Sequence, residues 1–255
     1  MYSVEERDDF FEQTIERLKS SNLVEGIVQL GSGVIGYKDE FSDIDLMVAT
    51  SEDVERTKSL VYQTLSEFNP IYIKEKQFSK DIYLLIAFLG NSLEFNVSIL
   101  PSELVNVKSP LWKVIVDKTG FISEKMNAEN EVFQSKPIQY ELNFDIVFEF
   151  VYCALSVDKE LKRKNLIYAL KMLEKMREYT LIVQAMNENK KLHQFKAYET
   201  LNPSFIESYL STYLVEMTGE SLKASSNKLQ EIFTDVVEQS STITMDQALR
   251  QLLNS

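Results

Sequence analysis

A chain of 255 residues, 44 % apolar and 26 % charged, has room for one large or two ordinary globular domains with sizeable cores. Its net charge of -12 argues against general nucleic-acid binding, which needs a basic surface. The same charge suits a cationic substrate, and solubility alone accounts for it equally well. The single cysteine, Cys153, excludes an internal disulfide, and its apolar setting "FVYCALSV" marks it as an inert core thiol. The acidic start "MYSVEERDDFFEQ" lacks the apolar segment of a signal peptide, and no apolar run approaches the length of a membrane span. The expected compartment is the cytoplasm, with no membrane partner.

In chain order, the first half alternates helix and strand patterns. Ser3 and Glu6 stand at capping-box spacing before a helix that carries Phe10, Phe11, Ile15 and Leu18 on one face. "GIVQL" (26–30) is a short strand closed by Gly31, and "IDLMVA" (44–49) is a second. Ser51 is the expected cap of a helix with Val54, Leu60, Val61, Leu65 and Phe68 at helical spacing. Strands are expected at 71–76, 81–89 and 92–100. Gly90-Asn91 separates the last two as a hairpin turn of two residues, or one or two more. "KVIVD" (113–117) is a further short strand, followed by a turn.

From about Pro137 the pattern becomes helix after helix. The expected helices are 138–157, a long one over 160–189, one opened by Asn202-Pro203, one over 221–239 and one over 244–253. This predicts an α+β fold: an N-terminal mixed-sheet domain over 1–130, joined to a C-terminal all-α helical bundle over 131–255.

The chemistry concentrates in "QLGSGVIGYKDEFSDIDLMVAT" (29–50). Asp43 and Asp45 are two apart in a strand, so both leave one face while Ile44 and Leu46 enter the core. Two adjacent carboxylates repel, and a hard divalent cation such as Mg²⁺ or Mn²⁺ relieves the repulsion. Gly31 permits a tight turn and close backbone approach to a phosphate. Ser32 adds a hydroxyl and an amide, and Gly33 and Gly36 keep the loop open. No Walker-type Gly-Lys-Ser/Thr is present. Gly31, Ser32, Ser42 and Lys164 are the candidate nucleotide contacts. Lys164, Lys171 and Lys175 fall close to one face of the long helix, where a solvated face explains them as well.

"GSGVIGYKDEFSDIDLMV" resembles the signature of the nucleotidyltransferase (polymerase-β-like) superfamily: Gly-Ser, about ten residues, then Asp-apolar-Asp-apolar. "DEFSDIDL" is especially similar to its aminoglycoside and lincosamide adenylyltransferase branch. The resemblance implies a mixed, mostly antiparallel sheet flanked by helices, and a helical C-terminal domain that closes over the substrate. It also implies a third carboxylate on a later strand. "SLEFNVSIL" alternates Leu93, Phe95, Val97 and Ile99 with Glu94, Asn96 and Ser98, so Glu94 is the candidate. Relatives more often carry aspartate there. A solvent-facing glutamate is the bland alternative. Relatives also place arginine or another polar residue where this chain has "GVIG". "VIVDKTGFISEK" is similar to a further stretch of these enzymes, with Asp117 in a structural role.

The reaction implied is transfer of a nucleoside monophosphate, AMP from ATP or its equivalent from another NTP, to a hydroxyl of a small molecule such as an aminoglycoside or lincosamide. Asp43 and Asp45 are the implied metal ligands, with Glu94 as a third ligand, a base, or both. Glu94 is also the candidate general base, with Asp145 and Glu149 as alternatives. His193 has no partner at metal spacing, and Trp112 is a core candidate. The competing functions are a protein-adenylylating antitoxin, which would be shorter, and a non-catalytic nucleotide-binding regulator.

Overall fold

The capping box at Ser3 forms: its hydroxyl accepts from the Glu6 amide at 3.1 Å, and the Glu6 carboxylate accepts from the Ser3 amide at 2.8 Å. In the computed structural model, which describes residues 2–36, 41–135, 142–190, 198–214 and 216–253, this box opens helix α1 (Val4–Lys19). The chain divides into two units, Met1–Pro137 and Ile138–Ser255.

The first unit is built on strands β1 (Gly26–Leu30), β2 (Ile44–Thr50), β3 (Tyr72–Ser79), β4 (Ile82–Phe88), β5 (Glu94–Pro101) and β6 (Trp112–Asp117), in the order β3-β4-β5-β2-β1-β6. β2 and β5 run parallel and the remaining pairings are antiparallel. The period-two alternation holds in β5: Phe95, Val97 and Ile99 are fully buried, while Glu94, Asn96 and Ser98 are half-buried on the other face. The buried face joins Ile44, Leu46 and Val48 of β2 and packs under α1 and helix α2 (Val54–Ser66) through Ile15, Leu18, Val61 and Leu65. Each such fully buried aliphatic side chain contributes about 1.5–3 kcal/mol relative to exposure. On the opposite face, Val28, Met47, Ala49 and Leu100 pack with Ile122 and Met126 of helix α3 (Phe121–Ser135).

Several expectations need correction. The cap of α2 is Asp53, whose carboxylate accepts from the Arg56 amide, and Ser51 lies outside the helix. The β4–β5 hairpin does fall within its expected range: it closes with the three residues Gly90-Asn91-Ser92 between Leu89 and Leu93, and Ser92, at φ +72°, takes the left-handed position. Gly31 to Ile35 form a 3₁₀ turn rather than an open loop, ended by Gly36 at φ +81°. Helix α3 has no counterpart in the sequence reading. Only Ile122 and Met126 are buried on it, so it shows almost no periodic signal. It also runs past residue 130, the expected domain boundary.

The second unit contains α4 (Ile146–Lys162), α5 (Leu166–Asn187), α6 (Pro203–Leu210), α7 (Gly219–Glu238) and α8 (Gln247–Leu253). Asp145 begins α4: its carboxylate accepts from the amides of Val147 and Phe148. The expected helix start at 138 lies outside the described residues. The expected single helix over 160–189 is two, because Lys164 turns left-handed at φ +61° and Asn165 caps α5. Asn202 caps α6, with Pro203 in its first turn, and that helix stops at Leu210. The core stacks Phe150 on Phe233, ring centroids 3.7 Å apart. Arg177 is 2 % exposed. It reaches the Thr212 hydroxyl at 3.1 Å, the Thr212 carbonyl and the Ser225 hydroxyl at 3.0 Å, and lies over the Tyr213 ring. Among the described residues, no helix is long and apolar enough to cross a membrane.

Candidate active site

The parallel register of β2 and β5 pairs Ile44 with Phe95 and Asp45 with Asn96. Continued back by one residue, it brings Asp43 beside Glu94. Adjacent strands lie about 4.8 Å apart, and residues i and i+2 about 6.6 Å apart along one strand. By strand alternation Asp43, Asp45 and Glu94, all half-buried, fall on the sheet face opposite the core, near one end of β2 and β5. Periodicity requires this arrangement: buried Ile44, Leu46, Phe95 and Val97 fix the opposite face as the core.

The Gly-Ser turn meets the second aspartate. A Cβ at Gly31 would stand 2.7 Å from Asp45 Oδ2, and Gly31 holds φ at +68°. Only glycine fits both the contact and the conformation. The Gly31 amide donates to the Leu111 carbonyl at 3.1 Å, which ties the turn to the segment before β6. On the other flank, the Tyr2 hydroxyl donates to the Ser42 carbonyl at 3.0 Å. Neither Tyr2 nor Leu111 was legible as a site residue, since each acts through long-range backbone contacts that carry no local pattern.

The remaining sequence candidates lie on other elements. Ser42 is 2 % exposed, a burial that suits a support of Asp43 better than a nucleotide contact. Lys164 lies in the α4–α5 turn of the second unit, off the α5 face that carries Lys171 and Lys175. Asp145 is engaged at the start of α4, and Glu149 is in the first turn of that helix. His193 lies outside the described residues. Trp112 is partly buried, and its ring N–H donates to Asn130 Oδ1 at 3.3 Å.

Two titrating groups outside the face have structural roles. Burial pushes the Cys153 thiol up to about 11, with Lys175 lowering it and Glu149 raising it, so it stays protonated and unreactive near neutrality. Burial also pushes the Asp117 carboxyl up. Hydrogen bonds from Ser123, Gly120 and Thr119 outweigh that and hold it below the usual range.

Among the described residues, no three His, Cys, Asp or Glu side chains are gathered into a metal-holding cluster. Mg²⁺ does not require one. It is commonly held by one or two carboxylates, with waters and substrate phosphates completing its shell. The all-oxygen donor set of Asp43 and Asp45, beside a turn whose missing Cβ leaves room against Asp45, fits such an ion.

The profile of the streptomycin adenylyltransferase family matches residues 6–244, nearly the whole chain. The chain belongs to the streptomycin adenylyltransferase family. It is a nucleotidyltransferase enzyme, as the motif in 29–50 implied, and its α+β architecture with a helical C-terminal part agrees with that membership. No curated protein sequence matches it.

Among solved structures, it is similar to an aminoglycoside 6-adenyltransferase from Bacillus subtilis (16 % identity, TM-score 0.36, covering 100 % of this chain and 97 % of that one). It is also similar to a nucleotidyltransferase-like protein from Exiguobacterium sibiricum 255-15 (10 % identity, TM-score 0.36, covering 91 % and 76 %). A third is JHP933 from Helicobacter pylori (11 % identity, TM-score 0.32, covering 94 % and 96 %). Likenesses this distant add no weight to the family assignment.

Proposed function

We propose that the enzyme transfers AMP from ATP to a hydroxyl of an aminoglycoside. What supports this is the contact of Gly31 with Asp45 on β2, the strand that Asp43 precedes, with Glu94 opening the parallel neighbour β5. Asp43 and Asp45 would hold Mg²⁺ or Mn²⁺, and a cation bound there supplies charge neutralisation for the triphosphate and for the leaving oxygen.

The chain's own residues do the rest. The turn at Gly31 and Ser32 admits a phosphate close to the backbone, with the Ser32 hydroxyl beside it, while the Gly31 amide stays on the Leu111 carbonyl. Glu94, beside Asp43, takes the proton from the acceptor hydroxyl. The hydroxyl oxygen bonds to the α-phosphorus as the bond from that phosphorus to the bridging oxygen breaks, and pyrophosphate leaves. The first unit acts as the nucleotidyltransferase domain and the helical unit as the acceptor-binding one, because every candidate metal and phosphate residue of the motif lies in the first. The family's description supports an aminoglycoside acceptor, and a net charge of -12 favours a polycation.

The test is a product scan. Protein, ATP and Mg²⁺ are incubated with aminoglycosides, lincosamides and protein substrates, and products are weighed by mass spectrometry. The expected result is one adenylyl unit gained by an aminoglycoside. Label found only on a protein would move the enzyme to the protein-modifying reading.

A further inference from the structure

Two residues beyond Asp45 along β2, the same sheet face carries Met47, which lines a cavity of about 250 Å³. Gly31, Ser98, Leu100, Asn106 and Trp112 also line it. Met47 and Ser98 are register partners in β2 and β5, just as Asp45 and Asn96 are. Gly31 belongs to both places: it lines the cavity, and its Cα faces the Asp45 carboxylate. The cavity thus adjoins the phosphate end of the site at Gly31, and all of it lies within the first unit.

We propose that this cavity takes the purine base of the nucleotide donor. The inference rests on the nucleotidyl transfer proposed above and goes beyond it by assigning the donor's base a place. Two residues of strand span about 6.6 Å, roughly the reach of a ribose between an α-phosphate at Asp45 and a base at Met47. The lining has the composition of a heterocycle site: Met47, Leu100 and Trp112 offer apolar and aromatic surface, and Ser98 and Asn106 offer groups that can hydrogen-bond base edges. It contains no carboxylate, and its one charged residue is Lys108. A polycationic acceptor would find no counter-charge there, whereas a neutral base needs none.

Trp112 is the only tryptophan of the chain, so its emission reports on this cavity. The full-length protein is titrated with MgATP, with magnesium tripolyphosphate, which lacks base and ribose, and with streptomycin. Emission and calorimetry are recorded in parallel. MgATP should change the emission along a curve that matches its calorimetric Kd, and tripolyphosphate should bind with the emission unchanged. Ser98→Phe, which fills the cavity from the half-buried face of β5, should weaken MgATP tenfold or more and leave tripolyphosphate within twofold. MgATP binding with a silent Trp112, or with equal affinity in Ser98→Phe, would overturn the proposal. An emission change with streptomycin and none with MgATP would give the cavity to the acceptor and overturn it too. Failure of both MgATP and tripolyphosphate to bind is a different result, because it removes the nucleotidyl-transfer reading itself. If Ser98→Phe does not fold, the titration of the unaltered protein decides.

Discussion

A methyl group at Gly31 would stand 2.7 Å from Asp45 Oδ2 on a residue held at φ +68°, so alanine there meets both a clash and a left-handed backbone. Gly31→Ala should cost about 1–2 kcal/mol of stability in denaturant unfolding. Its effect on transfer should be larger, because the Asp45 carboxylate must give way. A variant with wild-type turnover would separate the turn from the chemistry. Glu94→Gln should retain nucleotide binding by calorimetry while turnover falls by roughly two to four orders of magnitude, the usual contribution of a general base. Undiminished turnover would move the base elsewhere, to Glu149 before Asp145, whose carboxylate already caps α4. These residues were legible because a strand alternates: "IDLMV" and "EFNVSI" each contain a run of core residues that forces the polar ones onto a shared face. Gly31 was legible as a glycine. What it touches was not, since that contact joins residues fourteen apart through the sheet.

Elements were legible where periodicity was strong and lost where it was weak. α1, β4, β5 and α7 fall close to their expected places because each buries a regular stripe, and β1 and β2 because each is a short apolar run buried almost throughout. α3 was missed because two buried residues make no stripe. What starts it is a tertiary feature: Asp117 accepts from the amides of Gly120 and Ser123, each at 2.8 Å, and leads the chain from β6 into the helix. With its folded pKa held below the unfolded value, Asp117 contributes stability that is fully present above about pH 4 and lost as the pH falls through the folded value. Asp117→Asn should therefore be less stable than the parent at pH 6, with the gap narrowing toward pH 3 in thermal melts. A constant gap would mean that the carboxyl's charge is not what matters.

The break between α4 and α5 was hidden for another reason. "ELKRKNLIYALKML" is helix-forming throughout, and only the left-handed Lys164 and the cap at Asn165 interrupt it. Arg177 sits in the middle of α5 and joins it to Thr212 and to Ser225 of α7. Arg177→Met removes the guanidinium donors to Thr212 and Ser225, leaving the Ser225 hydroxyl on the Thr212 carbonyl, and should cost about 2–3 kcal/mol in urea unfolding. Arg177→Lys should recover little of this, since it lacks the planar fork. A loss below about 1 kcal/mol would mean that the buried fork adds little to the second unit.

At the scale of the whole chain, each unit has its own core, and the motif residues of the candidate site fall in the first. The family assignment spans both, from residue 6 to residue 244. The reaction class was legible from fewer than thirty residues, through the resemblance that the Gly-Ser and Asp-x-Asp motif carries, and the fold class from the helix and strand pattern of the whole chain. The acceptor was not, because no motif in the sequence names one. The central claim is nucleotidyl transfer that depends on the carboxylate pair. Its most direct test is a single-turnover reaction with an aminoglycoside and ATP labelled on either the α- or the γ-phosphate, run with the parent enzyme and with Asp45→Asn. The parent should move the α-label to the acceptor and release the γ-label as pyrophosphate, and Asp45→Asn should stay folded and transfer at most about a hundredth as fast. Transfer of the γ-label to the acceptor, or an unchanged rate in Asp45→Asn, would contradict the central claim.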